Sequence, residues 1–359
     1  MNKAVLSGLP LDDLKEALKP LPSYRGQQVF HWLARGARSF ADMTNLSLPL
    51  RAELDAKFSL YSSVISAQLP DPDGTVKLQI TLHDGTCIEA VLLADREHRR
   101  TACLSTQVGC PMGCVFCKTG TLGLIRNLDS AEIVEQFFHL HLIEKTEKTD
   151  TNISNIVIMG MGEPLKNLPE LRRALAVLTG PEGLGFSKRR ITLSTSGIVE
   201  GIRDLTDKGP DIRLALSLTT ADAGLRERLM PVTVTNPLDQ VKEALRSYQQ
   251  RRKRRITLEA VLLGGINTRE ADVDALATFA EGLEVVVNLI PWNPVPGMSF
   301  EGRPLREPSS GELAIFIKGL EKKGLIVTRR LRKGRSITGA CGQLGGNLTT
   351  VKGVSSLLV

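Results

Sequence analysis

From about residue 100 the chain alternates short apolar strands with amphipathic helices, and few folds accept that pattern. The strands read at 101–107 (TACLSTQ), 155–160 (NIVIMG), 189–195 (RRITLST), 212–218 (IRLALSL), 255–263 (RITLEAVLL) and 285–291 (VVVNLIP). Helical stretches lie between them, for example at 130–144, 168–180 and 236–250. Strands that are apolar at successive positions bury both faces, which argues for a parallel sheet covered by helices. Such a sheet closes as a doubly wound layer or as a partial barrel. In both, the site lies at the C-terminal ends of the strands. The unusual residues fall there: GMGEP after the second strand, STSG after the third, SLTT after the fourth and PWNP after the sixth. One more helix (308–323) and strand (324–330) follow, then the glycine-rich stretch KGRSITGACGQLGGN.

The first 60 residues have another character. Leu11, Leu14 and Leu18 recur at helical spacing, as do Val29, Trp32 and Leu33, and FADMTNLSLPLRAELDAKF reads as a further helix. A small helical unit of this kind either contacts nucleic acid or is a packed appendage. Over 62–93 the period changes to alternation in two short runs around His83-Asp84-Gly85, and Asp-Gly is a hairpin signal. That predicts a small antiparallel sheet. With 42% apolar and 24% charged residues in 359, the composition is that of a globular chain and not a disordered or fibrous one. No window holds about 18 consecutive apolar residues, and the first twenty carry acids and proline where a secretory signal needs an apolar run. The expectation is a cytoplasmic protein without a membrane segment. The net charge of +7 favours a polyanionic partner.

Six cysteines are present, at 87, 103, 110, 114, 117 and 341, and four of them crowd into 103–117. In a reducing compartment such a cluster reads as metal or redox chemistry before it reads as disulfides. Cys110, Cys114 and Cys117 form CxxxCxxC, a compact soft-ligand set suited to zinc or iron–sulfur. Structural zinc takes four ligands, and Cys103 offers a fourth. On a [4Fe–4S] cluster, three thiolates leave one iron open to a small molecule. Cys341, flanked by small residues and glycines, reads as a cysteine on a mobile loop and not in a core; Cys87, on a strand, reads as structural.

CxxxCxxC after the first strand of six βα units is the signature of radical S-adenosylmethionine enzymes. The longer runs TACLSTQVGCPMGCVFCKTGTLGLIRNL, IVIMGMGEPL, RRITLSTSGI, VVVNLIPWNPVPG and ITGACGQLGGN are similar to those of the RlmN/Cfr family of RNA methylating enzymes. So are YRGQQVFHWL and FADMTNLSLPLR near the N-terminus, so the resemblance spans about residues 10–348. It implies an α/β fold: a radical SAM partial (βα)6 barrel (96–335) with a helical N-terminal domain (1–60), a short β extension (61–95) and a C-terminal loop and tail (336–359). It implies a [4Fe–4S] cluster on Cys110, Cys114 and Cys117. It places Gly162, Glu163, Ser194, Ser217, Leu218, Thr219 and Asn293 around S-adenosylmethionine. Family members commonly carry Ser-Leu-His where this chain has Ser217-Leu218-Thr219, and threonine reaches less far.

The same resemblance assigns Cys341 as a methyl carrier, Cys103 as its resolving partner and Glu89 as a proton acceptor. The implied reaction consumes two S-adenosylmethionine molecules. One methylates Cys341; the other, reductively cleaved, yields the radical that activates the S-methyl group for addition to C2 of an adenine. Cys103 then releases the product, leaving a disulfide. The implied substrates are a 23S rRNA adenosine in the peptidyl-transferase region and, in dual-specificity members, a tRNA anticodon-loop adenosine. The implied electron donor is of the flavodoxin kind, and the implied state is a monomer. A C8-methylating enzyme of the Cfr branch is the near alternative, although PWNP replaces the Ile-Arg-Tyr-Asn of that branch. A noncatalytic zinc module that binds RNA is the distant one. Two basic runs are candidate phosphate contacts: Arg251-Arg252-Lys253-Arg254-Arg255, and Arg329, Arg330, Arg332, Lys333 and Arg335 beside Cys341.

Overall fold

The computed structural model describes residues 3–95, 99–146, 153–330 and 332–345. Three helices, α1 (Leu11–Ala17), α2 (Ser23–Ala34) and α3 (Leu48–Lys57), build the N-terminal unit. Pro10 and Pro22 stand just before α1 and α2, where a proline's fixed φ and missing N–H do no harm. Leu14, Leu18, Val29, Phe30, Leu33 and Leu54 meet in the interior, as the helical spacing requires. Met1 and Asn2 lie outside the described residues.

Ten strands form one sheet in strict sequence order: β1 (Val64–Pro70), β2 (Val76–Thr81), β3 (Cys87–Ala94), β4 (Arg100–Cys103), β5 (Ile153–Ile158), β6 (Ile191–Thr195), β7 (Arg213–Ser217), β8 (Ile256–Leu262), β9 (Val285–Pro291) and β10 (Val327–Arg329). From β4 to β10 every pairing is parallel; β1 to β4 are antiparallel. The parallel strands are joined by α4 (Ser130–Thr146), α5 (Leu168–Thr179), α6 (Val199–Lys208), α7 (Ala223–Leu229), α8 (Leu238–Arg252), α9 (Glu270–Ala280) and α10 (Ser310–Lys322). Thr101, Val157, Thr192, Ala215, Thr257 and Asn288, one residue from each of β4 to β9, line a single hollow. A flat sheet could not bring them together, so the sheet is curled into the expected partial barrel, with β10 as a seventh parallel strand.

Two expectations change. The antiparallel strands are not a sheet of their own: Val91 pairs with Cys103, so the extension is continuous with the barrel wall. It also has three strands, because the turn 71–75 repeats the geometry of the turn 82–86, with Gly74 and Gly85 both at positive φ. The strand read at 101–107 breaks at Leu104, and Gln107–Cys110 turns away to pair with Gly123–Asn127 in a separate hairpin.

Candidate active site

Cys110 ends that hairpin at the mouth of the barrel. Gly109 has φ +77°, and a Cβ there would lie 1.9 Å from the Gly123 carbonyl oxygen, so the hairpin closes only on glycine. Cys114 and Cys117 follow in the next turn. Their loop is braced from two sides: the Val115 N–H donates to the Leu229 carbonyl (3.1 Å), and the Trp292 indole N–H donates to the Phe116 carbonyl (2.9 Å). Burial pushes the Cys110 thiol up to about 12 and raises Cys114 and Cys117 as well. Held neutral by burial, these thiols become ligands when cations offset the thiolate charge. Three thiolates on one short loop suit the irons of a polynuclear iron–sulfur core, which are bound by one thiolate each.

Behind the loop is a cleft enclosing about 960 Å3, mouth included, within the range of small-molecule sites. All three loop cysteines line it, together with Gly162, Glu163, Ser194, Ser217, Thr219 and Asn293. Gly162 has φ +100°, and its missing Cβ would meet Gln107 at 2.6 Å, so the GMGEP turn lies flat against the hairpin. The Glu163 carboxylate accepts from the Ser196 N–H and hydroxyl, both at 2.8 Å, and from the Leu165 N–H at 3.1 Å. It ties GMGEP to STSG. Ser194 and Ser217 hydroxyls lie 3.0 Å apart, and Ser194 donates to Glu259 at 3.0 Å. Leu218 departs from the expected set: its side chain is fully buried in the core, and only its backbone serves the strand end. Thr219 is buried with φ +62°, and among the described residues its hydroxyl finds no hydrogen-bond partner. An orphaned buried hydroxyl beside serines and a carboxylate is what a polar ligand such as S-adenosylmethionine would complete. The residues present fit the cofactor and the cluster.

Cys341 lies on the loop 332–345, in the wall between this cleft and a smaller pocket. It lines both, whereas Cys103, at the end of β4, lines only the smaller one. All six cysteines are free thiols. Burial pushes Cys103 up to about 12, while Arg330, in the same pocket, acts in the opposite sense. The loop is tied down on every side. The Asn293 amide donates to the Cys341 carbonyl (3.0 Å), Lys118 N–H to Gly342 (2.7 Å) and the Thr119 hydroxyl to Leu344 (2.7 Å). Asp71 and Asp73 of the β1–β2 turn accept from Ser336 and Gly334. Glu89 is almost fully buried under the loop, where it pairs with Lys77 (2.9 Å) and accepts from the Gly345 N–H (2.6 Å). It lines neither cleft nor pocket. Residues 346–359, the rest of the expected tail, and Leu331 lie outside the described residues.

Within the run 251–255, Arg252 and Arg254 serve the fold: Arg254 forms a bidentate pair with Asp211 and Arg252 donates to the Leu205 carbonyl, while Arg251, Lys253 and Arg255 are exposed. Arg329, Arg330, Arg332, Lys333 and Arg335 share one cleft beside the Cys341 loop, though Arg332 is paired with Glu307 at 2.6 Å. Sequence reading missed Glu259, which accepts from Ser194 inside the cleft. A single acid in the apolar strand RITLEAVLL gives no spacing signal; only its clash with that pattern marks it.

Residues 104–277 match the model of the radical SAM superfamily, and residues 6–60 match that of the ribosomal RNA large subunit methyltransferase N-terminal domain. A protein of Treponema denticola named as a probable dual-specificity RNA methyltransferase RlmN is 49% identical over 343 residues, 96% of each chain. One of the same name from Thermus thermophilus is 41% identical, covering 93% of this chain and 92% of its own. The crystal structure of a radical SAM methyltransferase from Sphaerobacter thermophilus superposes with a TM-score of 0.90 at 37% identity, covering 95% of this chain and 99% of that one. Radical SAM proteins carry a [4Fe–4S] cluster and use S-adenosylmethionine, and the superfamily match brings both cofactors to this chain. With an N-terminal unit and a barrel that match the two family models, and relatives 41–49% identical over nearly the full length, the chain belongs to the RlmN family of radical SAM methyltransferases.

Proposed function

We propose that this protein methylates C2 of an adenosine in 23S rRNA, in the peptidyl-transferase region, and of an adenosine in the tRNA anticodon loop. The observation that carries the reading is the position of Cys341, which borders both the cofactor cleft and the pocket of Cys103. A group carried on its sulfur is accessible from one side and releasable from the other. Bound on Cys110, Cys114 and Cys117, the cluster and S-adenosylmethionine supply an electrophilic methyl group and, with an electron from a flavodoxin-type donor, the means to abstract hydrogen. Cys341 takes up the methyl group and presents it to the base. C2 of adenine is electron-poor and carries no acidic proton, so a polar transfer fails there and a carbon radical on the carrier succeeds. Glu89, which Gly345 of the loop covers, accepts the C2 proton once the loop moves aside. Once the adduct has lost its odd electron to the electron-transfer partner and its C2 proton to Glu89, the Cys103 thiolate attacks the Cys341 sulfur; the disulfide forms as the sulfur–carbon electron pair passes to the base, and the bridging carbon takes up a proton to become the methyl group. Arg330, beside both thiols, favours the attacking thiolate. The reading includes a monomer working in the cytoplasm, where both RNAs and the reductant are present.

The test is mass mapping of methyladenosine isomers in rRNA and tRNA from a strain lacking the gene and from one complemented with it. The expected result is 2-methyladenosine lost and restored in both RNAs. Restoration of 8-methyladenosine would assign the Cfr-type reaction instead, and unchanged RNA would overturn the reading.

A further inference from the structure

Arg226, on α7, is fully buried, yet among the described residues it makes no ion pair. Its guanidinium donates to the Leu218 carbonyl (3.0 Å), the Thr233 hydroxyl (2.6 Å), the Ser196 carbonyl (2.7 Å) and the Ser217 carbonyl (3.2 Å). All four acceptors are neutral. Carbonyls satisfy the N–H groups but cannot cancel the charge, and arginine does not escape by losing its proton. A buried charge without a counter-charge costs several kcal/mol. The other large buried cation, Lys77, has its carboxylate at 2.9 Å. Arg226 therefore needs an anion, and the protein offers one direction to look. The cysteine loop is hydrogen-bonded through Val115, next to Cys114, to Leu229 one turn beyond Arg226 on α7, and Ser196 and Ser217, whose carbonyls hold the guanidinium, line the same cleft as Cys114.

We propose that Arg226 is a positioning residue whose buried charge is the counter-ion of the Cys114 thiolate and of the cluster that thiolate holds, stabilising the reduced cluster. Three thiolates on an iron–sulfur core make a net negative site, and reduction adds one more negative charge. A fixed buried cation interacts more strongly with the reduced form, which raises the potential, since net charge and exposure set cluster potentials. Its four hydrogen bonds also fix the ends of β6 and β7, so the charge and the cofactor-binding strand ends are held as one unit. The inference rests on the cluster that the family supplies, and its test separates the two.

The full-length chain, Arg226→Lys and Arg226→Gln are reconstituted anaerobically, and three quantities are read: iron and sulfide per chain, the cluster midpoint by EPR titration, and the urea midpoint of the metal-free chain. Arg226→Lys keeps the charge and loses the planar fork; its reduction equilibrium should stay within about threefold of wild type. Arg226→Gln loses the charge, and its reduced form should be disfavoured by at least tenfold, a midpoint about 59 mV more negative for one electron. Equal midpoints in all three proteins would overturn the proposal. So would failure of both variants to fold, which would make Arg226 a strut for the strand ends. Wild-type protein without iron or sulfide would instead overturn the cluster on which the inference rests.

Discussion

Thr219 carries two unfavourable features at one position: a β-branched residue in the left-handed region and a buried hydroxyl without a partner. Each costs on the order of 1–3 kcal/mol in the free protein, and both persist where a function over-determines them. In Thr219→Ala the metal-free chain should lose less than about 1 kcal/mol in urea melts, because the orphaned group is removed with little else. S-adenosylmethionine binding to the reconstituted chain should weaken roughly tenfold by calorimetry, one lost hydrogen bond's worth. Unchanged affinity with lowered stability would show that the hydroxyl does not serve the cofactor. Positions of this kind divide by how sequence exposes them. Cys110, Cys114, Cys117, Gly162 and Glu163 were legible because their motifs are local. Glu259 and Arg226 were not, since their partners come from other strands and loops of the barrel, and the pairing of Lys77 with Glu89 was not, since a charged pair on neighbouring hairpin strands reads as solvent-facing until the loop that covers it is in place. Leu218 is placed near the cofactor by the family resemblance alone; its side chain, just past the end of β7, is buried in the core.

At the scale of elements, the β1–β3 extension acts as a cradle for the Cys341 loop. It was legible as strands from the Asp-Gly turn, but not as a continuation of the barrel, because pairing between β3 and β4 leaves no local mark. Asp71 is held below the usual carboxylate range, chiefly by the Ser336 hydroxyl, with backbone N–H donors adding to it. A carboxyl depressed in the folded state contributes fully above its unfolded pKa, and its contribution is lost as pH falls through the folded value. At neutral pH the clasp is therefore closed. Asp71→Asn should loosen it at pH 7, seen as faster hydrogen exchange over 333–345 with the exchange of β5–β9 unchanged. Deeper in the cradle, Lys77 and Glu89 are both nearly inaccessible, so Lys77→Met would strand a buried carboxylate. The expected loss is about 3–5 kcal/mol in a denaturant melt, and adding Glu89→Gln should recover much of it. No recovery in the double variant would mean that Lys77 matters for its packing and its bond to Thr338, not for its charge.

At the scale of the whole molecule, the N-terminal unit is fastened to the barrel at a buried polar junction. Glu135 on α4 accepts from the Ser7 hydroxyl (2.6 Å), from the Ser62 and Ser63 N–H groups (both 2.8 Å) and from the hydroxyls of Ser62 and Ser63; His139, one turn on, meets the Ser63 hydroxyl at 3.1 Å. Burial raises the Glu135 carboxyl from 4.5 to about 7, and burial lowers the His139 imidazole from 6.5 to about 4. The two act on stability with opposite sign. Glu135 binds its proton more tightly when folded, so it stabilises progressively as pH falls from about 7 to 4.5, by about 3 kcal/mol at 1.36 kcal/mol per pKa unit. His139 binds its proton less tightly when folded, so stability is lost over nearly the same descent, from 6.5 to about 4. In the wild-type chain the two slopes offset each other, and the junction holds its strength across mildly acidic pH. Single variants should unmask them. Glu135→Gln leaves His139 alone, and its urea midpoint should fall on acidification from 6.5 toward 4, relative to wild type. His139→Gln leaves Glu135 alone, and its midpoint should rise, relative to wild type, from pH 7 to 4.5. Slopes of the same sign in both variants would refute the offset. Two profiles parallel to wild type would mean that neither group changes its protonation at this junction on unfolding, and that the N-terminal unit is held by apolar packing, with Phe30 seated against Gly183, instead of by the polar clasp.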